Sequence, residues 1–262
     1  MIQDWPLEPT AVLRGVVIVV HGLGEHAGRY EHVARQLNQW GFAVRGYDQC
    51  GHGESAGPRG GIPTDERLLD DLADIVDSTR LRMTKGTPLI LLGHSMGGLV
   101  VSRFVSLGIR RVDALIMSSP ALDPGLSSFQ KFLVAVLPKI APNLCVGNGV
   151  KPQYISHDAA VVAAYRADPL VHDRISARLA RFIADASEQT VALASQWTVP
   201  TLLMYAGDDR LLSPQGSRTF AAQAPKDVVT TVCFDGLYHE IFNELDAKPV
   251  FATLQRWLDQ RF

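Results

Sequence analysis

The sequence has few of the features that mark several large classes of protein. It contains three cysteines, Cys50, Cys145 and Cys233, which are widely spaced and form no Cys-x-x-Cys pair. An odd number of isolated cysteines argues against a disulfide framework and predicts free thiols in a reducing compartment. No run reaches the ~18 apolar residues of a membrane span, and the N-terminus lacks the basic and apolar segments of a signal peptide. These absences predict a cytoplasmic protein.

An excess of charge of one sign is also absent. The chain carries 25 Lys and Arg against 27 Asp and Glu, a formal net charge of −2. This balance gives no electrostatic basis for binding nucleic acid or a strongly anionic membrane. Because no His-x-x-x-His or other paired ligand spacing occurs, we predict no metal site and no cofactor. A small molecule is the partner class that remains.

The 262 residues, 47% of them hydrophobic, are enough for one large domain with a substantial core. Short apolar runs alternate with helical periodicity over most of the chain, which predicts a mostly parallel sheet with helices on both faces. The predicted strands cover residues 16–20, 42–47, 88–93, 112–117, 200–205 and 228–234. The predicted flanking helices cover residues 30–40, 65–83, 213–224 and 249–262.

This alternation breaks between residues 121 and 194, where no buried strand is predicted. Helix-like segments punctuated by prolines occupy this stretch, and residues 127–137 are strongly apolar, with Phe129 and Phe132 among them. We interpret residues 121–194 as a helical cap inserted into an α/β core made of residues 1–120 and 195–262.

A Gly-x-Ser-x-Gly motif at residues 93–97 lies between a predicted strand and a predicted helix. This is the context of a nucleophile elbow, in which Ser95 is exposed at the end of the sheet and the glycines permit close packing. The following helix directs its N-terminal amides at the same spot, so the N–H of Met96 is a candidate oxyanion donor. The Gly-rich turn at 21–24 after the first buried strand supplies Leu23 N–H as the second donor.

Acidic and histidine candidates follow later strands. Asp208 and Asp209 come after the strand at 200–205, and His239 comes after the last strand. The order Ser, Asp, His is that of the α/β-hydrolase triads, in which the histidine is the base and the aspartate orients it. The residues alone leave open which aspartate serves. His94 is expected to point away from the elbow.

Several motifs together resemble those of the monoacylglycerol lipases and related lysophospholipases, which are α/β-hydrolases with a helical cap. The resemblance implies Ser95 as nucleophile, Asp209 as the acid and His239 as the base, with Leu23 and Met96 forming the oxyanion hole. It also implies substrate-binding roles for Glu25, Arg29 and Tyr165, and a cap inserted after the sixth strand. The matching motifs are the segments 21–30, 48–55, 93–98, 168–170 and 207–210.

Two features depart from the family pattern. Phe242 stands where the mammalian members have a second histidine that contacts glycerol. Only fifteen residues precede Val16, where the family has two more strands, so we expect either a short N-terminal sheet edge or a truncated start of the chain.

The resulting prediction is a serine esterase that hydrolyses monoacylglycerol-type lipid esters through an acyl-enzyme. The apolar cap helix around residues 129–137 is expected to line an acyl tunnel and to contact a membrane surface peripherally. A lysophospholipase or a general carboxylesterase is the alternative within enzymes. A non-catalytic binding protein with the hydrolase fold is the alternative of another class, but it has no need of Ser95, Asp209 and His239 together. A serine at position 95 argues against epoxide hydrolase and dehalogenase chemistry, which requires an aspartate there.

Overall fold

The computed structural model describes all 262 residues and contains one seven-stranded sheet and a small two-stranded ribbon. The sheet strands are β1 (Ile2–Trp5), β2 (Gly15–Val20), β3 (Phe42–Tyr47), β4 (Leu89–His94), β5 (Ala114–Ser118), β8 (Thr201–Ala206) and β9 (Val229–Phe234); the ribbon is β6 (Cys145–Gly147) and β7 (Arg174–Ser176). Their order in the sheet is β1-β3-β2-β4-β5-β8-β9. Every pair in it is parallel except β1 with β3.

Eight α-helices accompany the strands, and four short 3₁₀ turns lie between them. The helices are α1 (Glu31–Gln39), α2 (Arg67–Arg80), α3 (Met96–Ser106), α4 (Ser128–Ile140), α5 (Ala159–Ala167), α6 (Ala177–Ala192), α7 (Pro214–Gln223) and α8 (Lys248–Asp259). The predicted strands and flanking helices are therefore confirmed, with ends that shift by a few residues. The mostly parallel sheet flanked by helices is confirmed as well.

The N-terminal edge of the sheet is short, as expected, and consists of one strand of four residues. β1 is a strand that the sequence analysis did not predict, and it pairs antiparallel with β3 from Ile2 opposite Tyr47 to Trp5 opposite Val44. Because this chain has one strand before β2 instead of two, the segment after Ser118 follows the fifth strand. The expectation that it follows the sixth is wrong.

The core lies on both faces of the sheet. Side chains of β2 alternate between the faces: Ile18 belongs to the core that includes residues of α2, α3, α6 and α7, whereas Val17 and Val19 belong to the core that includes residues of α1 and α8. The central strands β2, β4, β5 and β8 are buried along their whole length because helices cover both sides. This rigid sheet sets the positions of the loops at its carboxyl edge.

The segment 121–194 contains α4, α5, α6 and the β6–β7 ribbon. Its helices differ in burial: α4 has no buried residue, whereas α6 buries Leu179, Phe182 and Ile183 in the main core. The segment thus combines an exposed outer helix with a helix that packs against α3. No helix in the structure has the length and apolar character needed to span a membrane.

Candidate active site

Ser95 stands on a strained turn between β4 and α3. Its φ of 55° and ψ of −120° are unfavourable for a residue with a side chain. The turn is held because Ser95 N–H donates to Ser118 O and Ser95 O accepts from Ala121 N–H, both at 3.0 Å. The predicted elbow geometry is therefore present in the structure.

His239 and Asp209 meet at the ends of β9 and β8. His239 Nδ1 lies 2.6 Å from Asp209 Oδ2, and both side chains are buried. The other Asp209 oxygen, Oδ1, accepts from the amides of Leu211 and Leu212. Asp208 instead pairs with Arg210 at the surface. The structure thus brings Asp209, and not Asp208, to the histidine.

The charge states of this pair follow from its surroundings. Burial alone would raise the pKa of Asp209, but His239 and the two amides hold it below its usual value. Burial alone would lower the pKa of His239, yet the Asp209 carboxylate outweighs it and raises that pKa above 6.5. An ionised carboxylate only accepts hydrogen bonds, so His239 carries its hydrogen on Nδ1 and keeps Nε2 free as a base.

His94 is closer to this pair than the sequence analysis expected. Its ring centroid is 4.7 Å from that of His239, and its Nδ1 lies 3.2 Å from Ser118 Oγ. Burial and the neighbouring His239 lower the pKa of His94 to about 4, so it is neutral at pH 7. The expectation that His94 points away is wrong, because its ring packs against His239.

The two amides expected to form an oxyanion hole lie at the same cavity as Ser95. Leu23 N–H donates to no protein acceptor, and Met96 is the first residue of α3, where amides have no partner within the helix. The glycine-rich turn at residues 21–24 approaches the elbow closely, because a Cβ on Gly22 would lie 3.1 Å from Ser95 Cβ.

A cavity of about 240 Å³ opens beside Ser95 and His239. Its wall combines both sheet-edge loops with apolar residues of segment 121–194, including Leu126, Val134 and Ile183. A largely apolar pocket with a few convergent polar groups is typical of a binding site for an apolar substrate. No group of three or more metal-ligating side chains converges anywhere in the structure.

The three residues expected to bind substrate occupy different positions. Glu25 and Tyr165 line the cavity, whereas Arg29 lies behind its wall. Arg29 donates to Glu25 at 2.5 Å and to both carboxylate oxygens of Glu240 at 2.8 Å. Burial alone would raise the pKa of Glu25, but the Arg29 guanidinium lowers it to about 2. Glu240 also lines the cavity and was missed, because a single carboxylate after His239 has no recognisable pattern.

Comparison with known proteins places this site in a family. A family profile described as "Serine aminopeptidase, S33" matches residues 11–246. The chain belongs to this family. A monoacylglycerol lipase of Mycolicibacterium smegmatis is 35% identical over 248 residues, which cover 94% of this chain and 88% of that protein. A Dictyostelium discoideum abhydrolase domain-containing protein is also 35% identical, but the chain spans only 26% of its length.

A solved structure agrees in fold. The crystal structure of the Paleococcus ferrophilus monoacylglycerol lipase superposes with a TM-score of 0.90 at 34% identity, covering 100% of this chain and 99% of that one. The α/β-hydrolase fold and the resemblance to the monoacylglycerol lipase family are therefore confirmed. The prediction of a carboxylic ester hydrolase is confirmed at the level of the family.

Proposed function

We propose that this protein hydrolyses monoacylglycerols, with Ser95 as nucleophile, His239 as base and Asp209 as the group that orients His239. The observation that carries the proposal is the buried Asp209–His239 pair beside the strained Ser95 in an apolar cavity. The similarity to two monoacylglycerol lipases, one of them of known structure, supports the substrate class.

The reaction has two steps. Ser95 Oγ attacks the ester carbonyl carbon while His239 Nε2 takes its proton, and the oxyanion is held by the amides of Leu23 and Met96. His239 then returns the proton to the departing alkoxide, which releases glycerol and leaves an acyl-serine. Water then attacks the acyl-serine carbonyl while His239 takes its proton, and His239 returns that proton to Ser95 Oγ as the fatty acid leaves. Asp209 stabilises the imidazolium formed in each step.

Ser95→Ala tests the proposal. Hydrolysis is measured as fatty acid release from a 1-monoacylglycerol and a lysophosphatidylcholine, and as p-nitrophenol release from a short p-nitrophenyl ester. An amino-acid p-nitroanilide tests the peptidase activity that the family name describes. We expect the monoacylglycerol to have the highest kcat/KM and Ser95→Ala to lose roughly 10⁴-fold or more, because the nucleophile is gone. Preference for the lysophospholipid or the anilide, or activity that survives in Ser95→Ala, would contradict the proposal.

Segment 121–194 is proposed to act as a cap that contacts lipid surfaces. On α4, Phe129, Phe132 and Ile140 are 68%, 61% and 76% exposed, while Val134 on the same helix lines the cavity. Positions 129 and 140 fall on the same side of the helix, with 132 beside them. One helix thus offers an apolar outer surface and an inner contact with the acyl site, which suits delivery of a substrate from lipid.

Replacing both phenylalanines by serine separates the surface role from the chemistry. For Phe129→Ser with Phe132→Ser we expect at least a fivefold loss on monoacylglycerol in phospholipid vesicles, because burial of two large apolar side chains in lipid is lost. Turnover of the dissolved short ester should stay within twofold of the parent. Leu81→Ser, at an apolar residue exposed to 89% outside the cap, is the matched control. Equal rates on vesicles would refute the lipid contact.

The cytoplasmic location expected from the sequence stays a prediction.

A further inference from the structure

The polar network behind the cavity has an unusual centre. Arg29 is a mostly buried arginine, with a side chain 11% exposed, between two buried carboxylates that are 4% and 6% exposed. It touches neither Ser95 nor the cavity. A buried ion network of this kind is costly in stability unless every charge is paired, so its position calls for an explanation.

The partners of Arg29 belong to the two loops that carry the reacting groups. Glu25 accepts the backbone N–H of Gly22 at 2.6 Å, and Gly22 directly precedes the proposed oxyanion donor Leu23. Glu240 directly follows His239. The guanidinium therefore connects the oxyanion loop, which carries Leu23, with the base loop, which carries His239. It does so through one hydrogen bond to Glu25 and a bidentate ion pair with Glu240.

Further contacts fix this arrangement from other sides. Tyr30 OH donates at 2.6 Å to Glu25 Oε1, the oxygen that also accepts the Gly22 N–H, and the Arg29 guanidinium lies 4.8 Å from the ring centre of Tyr165 in α5. The amide of Glu240 donates to Ile155 O in segment 121–194. A planar guanidinium with a fixed fork suits such a junction better than a flexible ammonium does.

We propose that Arg29 is a positioning residue that holds the oxyanion loop and the base loop at a fixed separation around Ser95. This inference rests on the proposed function, because it assigns Leu23 and His239 their catalytic roles. It places Arg29 outside the substrate contacts, so its loss should lower kcat on any ester, including one without glycerol. Displacement of a reacting group by about 1 Å costs on the order of 10²-fold in rate.

Four variants test the role on p-nitrophenyl acetate, a substrate without a glycerol group, with rates expressed per active site after titration with a fluorophosphonate. For Arg29→Gln we expect kcat to fall roughly 10²-fold with KM within about threefold of the parent. Arg29→Lys keeps the charge but loses the fork, and should retain intermediate kcat. Arg35→Gln, in an exposed pair with Glu31 in α1, is the matched control and should stay within twofold.

The double variant Arg29→Gln with Glu240→Gln supplies the rescue. Replacement of Arg29 leaves the carboxylates of Glu25 and Glu240 facing each other without a cation, and Glu240→Gln removes one of these charges. The two new amide side chains can also hydrogen-bond to each other, so kcat should recover at least tenfold over Arg29→Gln. A kcat per titrated site within threefold of the parent for Arg29→Gln, or no recovery in the double variant, would overturn the inference. So would an effect on KM alone that appears only with glycerol esters, because that result assigns Arg29 to the substrate.

If thermal unfolding shows that Arg29→Gln is not folded, Arg29→Lys becomes the test variant. A kcat of Arg29→Lys equal to that of the parent then overturns the inference. A parent that hydrolyses p-nitrophenyl acetate but not monoacylglycerol would contradict the proposed substrate alone. The Arg29 comparison would still be decided in that case, so the two failures are distinguishable.

Discussion

Two buried histidines flank one another at the site, yet their surroundings give them opposite proton affinities. His239 has a carboxylate partner that raises its pKa, whereas burial and the neighbouring His239 lower the pKa of His94 to about 4. Because His94 is neutral at pH 7, no second imidazolium ion repels His239 when it takes the proton of Ser95. His94 thus contributes packing next to the base without competing for its proton.

Asp209→Asn tests the source of the raised pKa of His239. The amide keeps the shape of the side chain but loses the negative charge and permits the wrong histidine tautomer, so we expect kcat to fall roughly 10⁴-fold. In the parent, kcat/KM on a short ester should rise with pH through a midpoint above 6.5, as His239 loses its proton. The midpoint of the residual activity should be lower in the variant. Asp208→Asn, at the exposed neighbour, should leave both quantities unchanged.

At the scale of elements, the site depends on how closely α3 approaches β2. A Cβ on Gly97 would lie 2.0 Å from Val20 O, and one on Gly93 would lie 2.4 Å from Gly97 O. Neither position has room for a side chain, and Gly97 lies two residues after the nucleophile. The strained backbone of Ser95 is thus sustained by packing between a strand and a helix, both of which are buried.

Gly97→Ala should therefore disturb the elbow more than its single methyl group suggests. The backbone carbonyl of Val20 must move to admit the new Cβ, so we expect a loss of about 1–3 kcal/mol in the free energy of unfolding and at least a tenfold loss in kcat. Urea unfolding and ester hydrolysis measure the two effects. Gly236→Ala is the matched control, because nothing lies within 4 Å of its added Cβ. Equal stability of the two variants would contradict this account.

For the molecule as a whole, buried groups with lowered pKa values tie stability to pH. The unfolded chain protonates His94 near 6.5, whereas the folded chain does so near 4. Its contribution to stability is present above pH 6.5 and is lost as pH falls toward 4. Glu25, with a pKa of about 2 instead of 4.5, adds a second loss at lower pH. Burial lowers the pKa of further histidines in the same direction: His21, His32, His52 and His172.

We therefore expect the free energy of unfolding to decrease steadily between pH 6.5 and 4, with about 3 kcal/mol from His94 alone. Urea titrations at several pH values measure this decrease. The variant His94→Asn removes the titrating ring, so its stability should fall less steeply over the same interval. His239 acts with the opposite sign, because its raised pKa gives a contribution that is lost as pH rises above 6.5. If the free energies of unfolding of the parent and of His94→Asn fell in parallel between pH 6.5 and 4, the lowered pKa of His94 would be contradicted.

The parts of the fold that were predictable are those encoded locally. The apolar run before Ser95 and the glycines around it specify a strand and a tight turn through local interactions, so the elbow could be predicted from the sequence. β1 was missed because Ile2–Trp5 is short, half exposed and polar at two of its four positions, and it gains its partner only through β3. The roles of Asp209 and Glu240 depend on residues far away in the chain, His239 and Arg29, which no local pattern connects.

The order of strands in the sheet has a consequence for how the protein forms. β5 and β8 are neighbours in the sheet, yet all of segment 121–194 is synthesised between them. Until β8 and β9 are added, a nascent chain holds the elbow of Ser95 beside an open sheet edge, without Asp209 or His239. Such long-range parallel pairing slows folding and exposes an edge to aggregation. The site is therefore completed only when the last quarter of the sequence, which carries β8, β9, Asp209 and His239, joins the sheet.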